Sequence, residues 1–406
     1  MRRPQAQRLA CWANTPRTGI CQEQDAALLL ARVQARRLGR TADMKQIAVF
    51  LVALLFAPNA AAQPADWQKV WEETLAAARN ESKVVIIGSP DPVMRNEIIP
   101  AFQKRYGITV EYIAVGSSGQ ASGRIRTERQ SGIYSVDVFL SGLGTTVNVY
   151  YPEKMIDPLK PLLILPEVTD GSKWKRGKPW FIDPEERYIL MLFANVDSHF
   201  YINTDYVRPE EIRSTKDLLN PKFTGKISSE DPTSSGTGAN TAGHILRELG
   251  PEFTKKLYID QKPGISRERR QLTDWLARGT YPVCLTCRTD DIRQLIKEGF
   301  KITEVFELSD LKNRLNSSPF ILSYANKAPH PNAARIFINW LVGKEGLELY
   351  SRGYESPTLR TDVDESFLDP KTIPRPDVAY TDNTEFKWIA KERVEAANDV
   401  RALLKK

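Results

Sequence analysis

From Trp67 onward, short apolar runs alternate with amphipathic stretches that end in glycine, and this alternation restricts the fold more than any single motif. Trp67, Val70, Trp71, Leu75 and Ala78 recur at helical spacing. Lys83-Val-Val-Ile-Ile-Gly88 reads as a buried strand, followed by the turn Ser89-Pro-Asp-Pro92. The stretch 93–106 predicts an amphipathic helix, kinked at Pro100 and closed by Gly107, where a positive φ is wanted. Ile108-Thr-Val-Glu-Tyr-Ile-Ala-Val115 is the next strand. A helix over 120–131, closed by Gly132, precedes a third strand, Val136-Asp-Val-Phe-Leu140. Strands and helices alternating at this spacing predict a parallel, doubly wound sheet.

A similar unit recurs downstream. Lys226-Ile-Ser-Ser229 is a strand, Asp231-Pro-Thr-Ser-Ser-Gly-Thr-Gly238 a loop, and 239–249 and 267–278 are helices. Residues 281–286 form another strand and 290–298 a helix closed by Gly299. Between the units, 188–203 is rich in β-formers and long enough to cross, and 313–326 reads as the return. Helices over 332–344, 345–352 and 385–404 finish the chain. The expected fold class is therefore α/β: two doubly wound α/β lobes joined by hinge strands. Lobe 1 would hold 63–194 and 324–406, and lobe 2 would hold 195–323. No repeat of 20–50 residues occurs, and the absence of a heptad seam leaves a monomer as the expected state.

The segment before Trp67 has another character. The apolar run Ile47–Ala57 is 11 residues long, too short for a membrane span of about 20. Met44-Lys45 precedes it and Ala60-x-Ala62 follows, which together make residues 44–62 a secretory signal peptide with cleavage before Gln63. Residues 1–43 are then expected to be an over-extended N-terminus, with the true start at Met44. Mean hydropathy is −0.39, and with one long apolar run this excludes a polytopic membrane protein. The net charge of +7 belongs mostly to the leader: residues 1–62 carry nine basic and three acidic side chains, which leaves +1 on the remainder. No nucleic-acid partner is implied.

Removing the leader also reduces the cysteines to Cys284 and Cys287, spaced C-x-x-C. In an exported protein this pair is a disulfide, two buried thiols or a redox pair. There is no second such pair, and His199, His244 and His330 are the only histidines, so a tetrahedral zinc site is not expected. The motif straddles the end of an apolar strand, which is not the helix-start setting of a thioredoxin-like centre.

In open α/β sheets ligands bind beyond the carboxyl ends of the strands. The loops Gly88-Ser89, Gly116-Ser-Ser-Gly119, Ser141-Gly142 and Thr233-Ser-Ser-Gly-Thr-Gly238 stand at such ends. Small hydroxyl residues with glycine before a helix present backbone N–H groups suited to an anion, although the same residues are ordinary helix caps. No P-loop and no G-x-G-x-x-G is present, so no nucleotide cofactor is expected. Glu230 and Asp231 read as capping residues, no Ser/His/Asp order is convincing, and no enzymatic function is expected.

These features together resemble the periplasmic solute-binding proteins of ABC transporters, type II, within the cluster that takes ferric iron, thiamine and polyamines. The matching segments are 83–89, Asp137-Val-Phe-Leu-Ser-Gly142, Phe200-Tyr-Ile-Asn203, Asp217-Leu-Leu-Asn-Pro-Lys-Phe-Thr-Gly-Lys226, 231–238 and 333–346. The resemblance implies a periplasmic protein that closes on its solute by hinge bending and docks on a membrane permease. The ferric branch places two adjacent tyrosines after the strand that is 281–286 here. This chain has Cys287-Arg288-Thr289-Asp290 instead, so no metal ligand is expected there. An arginine facing serine and glycine loops suits a carboxylate, phosphate or phosphonate. The expected solute is a small organic anion, paired with Arg288. Ser117, Ser118, Ser141 and Gly142 would serve it from lobe 1, and Ser235, Gly236 and Thr237 from lobe 2. Ser89 and Tyr354 are further candidates. The competing assignment is ferric iron or a ferric complex.

Overall fold

The computed structural model describes residues 67–115, 118–234, 236–317 and 320–405. The expected N-terminal extension and signal peptide, residues 1–62, lie outside them, as do Ser117 and Ser235.

The chain begins with α1 (Trp67–Glu81), β1 (Lys83–Gly88), α2 (Ile99–Tyr106), β2 (Thr109–Ala114), α3 (Ser118–Gln130) and β3 (Val138–Ser141). β4 (Ile156–Asp157), β5 (Leu190–Met191) and β6 (Asn195–Asp197) follow. The second lobe runs through β7 (Phe200–Asn203), β8 (Ile227–Glu230), α4 (Thr237–Lys255), β9 (Gly264–Ser266), α5 (Arg269–Ala277), β10 (Val283–Cys284), α6 (Thr289–Lys297) and β11 (Ile302–Val305). Then come β12 (Arg314–Asn316), β13 (Ile321–Ala325), α7 (Pro331–Val342), α8 (Lys344–Tyr354), β14 (Thr381–Asp382) and α9 (Arg393–Leu404).

Two sheets organise these elements, one of order β2-β1-β3-β13-β4 with β5 also on β13, the other of order β11-β7-β10-β8-β9. β1 is parallel to β2 and β3, as the alternating pattern predicts. All of β1 beyond Lys83 is buried, the mark of a strand covered by helices on both faces. Each sheet also holds one antiparallel strand near its middle: β13 against β3, and β7 against β10. Both follow directly from the hinge. A chain that enters a sheet at its cleft end must run opposite to strands whose carboxyl ends face that cleft. Ile321 accordingly pairs with Ser141, the last residue of β3.

The hinge is a third sheet of order β14-β12-β6, with Val196, Phe306 and Leu315 as its own small core. Val84, Ile86, Phe102, Phe139 and Phe337 belong to the first core, and Ile202, Ile227, Ala242 and Val283 to the second. Val400 of α9 also lies in the second core. The terminal helix therefore serves lobe 2, although the sequence pattern assigns 324–406 to lobe 1.

Local details follow from single residues. Pro100 lacks an N–H and would break an α-turn. The preceding turn, Met94–Ile98, is instead a π-turn in which Ile99 N–H reaches Met94 O, a widening that accommodates the missing donor of the proline. Gly107 ends α2 at φ 70° with its N–H on Gln103 O at 2.9 Å. Asp137, fully buried before β3, accepts Val85 N–H at 2.7 Å, His330 N–H at 2.7 Å and His330 Nδ1 at 2.9 Å. One carboxylate thus ties β1, β3 and the start of α7 together. Burial pushes its carboxyl above the usual range, against the opposing effect of these bonds.

Candidate functional site

A cavity lies between the lobes. It measures about 430 Å³, within the usual range of small-molecule sites. Its wall combines the carboxyl end of β10, the start of β7, the hinge strands, the first turn of α4, the lobe 1 turn at Leu143-Gly144 and the start of α9. In lobe 2 the cavity lies beyond the carboxyl end of a strand, as ligand sites in open α/β sheets do: Leu285, Thr286, Cys287 and Arg288 follow β10 into it.

Three arginines face this space: Arg288, Arg314 and Arg393. Arg288 caps α6 and holds Asp290 at 3.3 Å, with half of its side chain exposed. Arg314 lies on hinge strand β12, and its Nε has no hydrogen-bond partner. The side chain of Arg393, partly buried at the start of α9, makes no hydrogen bond or ion pair among the described residues. Burial lowers its pKa from the ordinary value. Gly144 gives it room, because a Cβ there would stand 2.6 Å from Arg393 Nη2. A guanidinium with no acidic partner in a cavity is prepared to take an anion in bidentate fashion.

Two further polar atoms of the wall are buried without partners, His199 Nε2 and Asn383 Oδ1. Burial, with Arg314 adding repulsion, brings the His199 imidazole down to about 4. His244, behind it on α4, is pulled down to about 2 by burial and by Arg314 and Arg247. Both rings are therefore neutral at ordinary pH and add no charge to the cavity.

The residues singled out in the sequence divide between several places. Arg288 and Thr237 line the main cavity. Ser89 and Ser141 border a separate lobe 1 pocket of about 10 Å³, room for about one water and no solute. Ser141 Oγ is engaged with Thr146 Oγ1 at 3.1 Å. Gly142 is exposed and accepts Thr145 N–H at 3.1 Å, which carries the chain into Leu143-Gly144. Ser118 opens α3, and Ser117 and Ser235 lie outside the described residues. Gly236 precedes α4 with φ 147°, a backbone that favours glycine. The anion at that helix start is the chain's own: Glu230 Oε2 accepts Gly238 N–H at 3.1 Å, and Oε1 takes Arg269 Nε at 3.2 Å. Asp231 similarly holds the loop through Thr233 N–H at 2.8 Å and Ser234 Oγ at 2.8 Å. Both carboxylates act as caps, which removes this helix terminus from the expected anion site. Tyr354 borders an adjoining cavity.

Cys284 and Cys287 form a disulfide with Cα atoms 5.8 Å apart. It closes the turn after β10, where Thr286 Oγ1 accepts Glu230 N–H at 2.6 Å. That turn shortens the strand expected over 281–286 to Val283–Cys284. Tyr150 is buried against Phe139, with ring centroids 4.5 Å apart. Among the described residues no group of three or more His, Cys, Asp or Glu could hold a metal ion.

Arg314 and Arg393 escaped sequence reasoning. Neither stands in a glycine–serine loop, and only the hinge and the folding of α9 against α4 bring them to the cavity.

Two α/β lobes on a three-stranded hinge, with a polar cavity between them, define a protein that binds a solute in a cleft. The chain belongs to the bacterial extracellular solute-binding proteins, whose family profile matches residues 82–353. Members of this family bind solutes and are not enzymes. Solved structures share the fold across most of the chain. A Trichodesmium protein (IdiA, FutA) in complex with iron and citrate is 16% identical, covers 80% of this chain and 100% of its own, with a TM-score of 0.58. Pasteurella haemolytica apo ferric ion-binding protein A is 16% identical over 79% and 98%, with a TM-score of 0.60. AfuA from Actinobacillus pleuropneumoniae, with fructose-6-phosphate bound, is 18% identical over 78% and 97%, with a TM-score of 0.56. No curated protein sequence matches the chain significantly. No helix among the described residues is long and apolar enough to cross a membrane.

Proposed function

We propose that this chain is the periplasmic solute-binding component of an ABC importer and that its solute is a small organic oxyanion. The observation that carries the reading is Arg393, a partly buried guanidinium with no partner among the described residues, facing the same cavity as Arg288 and Arg314. The open form admits the solute. Closure would then bring the lobe 1 turn at Leu143-Gly144 and the lobe 2 turn at Thr286–Arg288 onto it, and contacts to both lobes stabilise the closed state. The closed form delivers the solute to a membrane permease, reached after export by the signal peptide. The bound molecules of two similar structures, citrate with iron and fructose-6-phosphate, both present oxyanion groups, which agrees with an arginine-lined site.

The test is a thermal-shift and calorimetric screen of the purified chain against alkyl phosphates, carboxylates, sugar phosphates, ferric citrate, polyamines and thiamine. A ligand at 100 times its Kd stabilises by about 2.7 kcal/mol. The reading predicts a shift with an oxyanion that is lost in Arg393→Ala. Stabilisation by cations alone, or an oxyanion response indifferent to Arg393, sinks it. Ferric citrate is itself an oxyanion complex. A response to it and not to iron-free citrate would favour the ferric assignment.

A further inference from the structure

We propose that the cleft selects an oxyanion with a single net negative charge, such as a carboxylate, sulfonate, sulfate ester or phosphodiester, and rejects a dianion of the same shape. This inference rests on the reading of the arginine-lined cavity as the oxyanion site.

The carboxylates along the cleft already have their cations. A cavity of about 250 Å³ adjoins the first. Both are bordered by Asp197, Ser198, Thr289, Asp290 and Asn316, so they form one continuous space. Among the described residues its acidic side chains are Asp197, Asp290, Glu304 and Glu355. Asp290 holds Arg288 at 3.3 Å, Glu304 holds Arg293 at 3.3 Å and Glu355 holds Lys297 at 3.0 Å. Asp197 is the register partner of Arg314 across β6 and β12. It also accepts the side-chain amides of Asn195 and Asn316. Burial raises its carboxyl, and the Arg314 charge opposes that rise.

Arg393 is the cation of these walls that is left over. Burial alone moves its pKa, so no carboxylate acts on it. The other titratable groups of the walls carry no charge at ordinary pH. Burial and Arg314 bring His199 down to about 4, and burial pushes Tyr201 up to about 12 and raises the Tyr354 phenol. Lobe 1 brings no charge at Leu143-Gly144. A monoanion on Arg393 therefore balances the space when closure removes its water. A dianion introduces a second charge with no free cation to meet it. That charge must be buried unpaired, or it must draw Arg288 from Asp290 or Arg314 from Asp197 and leave an acid unpaired instead. Two solutes of one shape are then separated by charge alone.

The experiment is calorimetry on the full chain with propyl sulfate and propyl phosphate, which share a tetrahedral head and a propyl tail. Propyl sulfate stays a monoanion, whereas propyl phosphate takes its second charge near a pKa of about 6. At about pH 8 the sulfate is expected to bind at least about tenfold more tightly. At about pH 5 both are monoanions and should bind within about threefold of each other. The sulfate affinity reports any titration of the walls themselves. Asp290→Asn, at a side chain 80% exposed, frees Arg288 as a second unpaired cation. It should lower the sulfate preference at about pH 8 by about threefold. A wild-type ratio near unity at about pH 8, or one that favours the phosphate, overturns the charge selection and leaves the oxyanion reading standing. A sulfate preference that persists at about pH 5, or that Asp290→Asn leaves unchanged, does the same. Failure of both probes to bind at either pH overturns the oxyanion reading, and the inference falls with it. The wild-type comparison needs no substitution, so misfolding of Asp290→Asn does not leave the question open.

Discussion

Two aspartates mark the difference between a buried position that ties elements together and a half-buried position that faces the cleft. Asp137, at the start of β3, is surrounded by donors: two backbone N–H groups and the His330 ring. Asp197, on the hinge, has two side-chain amides and an opening toward the cleft. Burial raises the pKa of both. In the first case the surrounding donors oppose that rise and join three elements. In the second, no equivalent set of backbone donors has been provided. Its compensation comes from the two amides and from Arg314, its register partner across β6 and β12.

The strongest way to break this comparison is Asp137→Ala. It would leave the Val85 and His330 donors without their acceptor in a buried place, and a loss of about 3–5 kcal/mol is expected in urea unfolding. A loss comparable with that of an ordinary surface substitution would erase the distinction.

A second test uses pH, because the histidines behind the cavity act in the opposite sense to the two aspartates. His199 and His244 have folded-state values of about 4 and about 2, below the ordinary 6.5, so the unfolded chain binds their protons first. Their contribution is complete above the ordinary value and falls as pH drops below it, through about 4 for His199 and onward to about 2 for His244. The expected loss is on the order of a few kcal/mol. The raised aspartates bind protons earlier in the folded state and gain stability as pH falls through their folded values. A stability curve of His244→Leu should therefore be flatter between about pH 6.5 and 4 than that of the wild type. Identical curves would show that the ring is not held neutral.

Reduction of the Cys284–Cys287 disulfide is expected to cost about 2 kcal/mol, the chain-entropy value for so short a loop. It is measurable as a midpoint shift of the Cys284→Ser/Cys287→Ser pair. The smallest effect is predicted for Asp197→Asn without ligand, within about 1 kcal/mol of the wild type, since the desolvation of its charge is relieved. A large loss would place Asp197 with Asp137 among the fold-building residues.

The lobes were legible in sequence because burial imposes a period. Val84–Gly88 is apolar throughout as a covered strand must be, and Gly107 marks the end of α2 through a backbone that other residues resist. The anion loops were less legible. Glycine and hydroxyl residues describe a helix start equally well whether its occupant is a solute or the chain's own Glu230. Arg314 and Arg393 carried no local signal at all, since their setting is created by contacts between distant segments. The antiparallel strands β7 and β13 likewise follow from the route of the chain and not from their own residues.

That route has one more consequence. The hinge sheet contains three strands, β6, β12 and β14, and each accompanies one passage of the backbone between the lobes. An odd number of passages leaves α1 in the first lobe, packed beside α7, and α9 in the second, packed on α4. A donor dye on α1 and an acceptor on α9 would ride on opposite jaws. Energy transfer between them turns capture of a solute into an optical signal, with both labels placed far from the cleft.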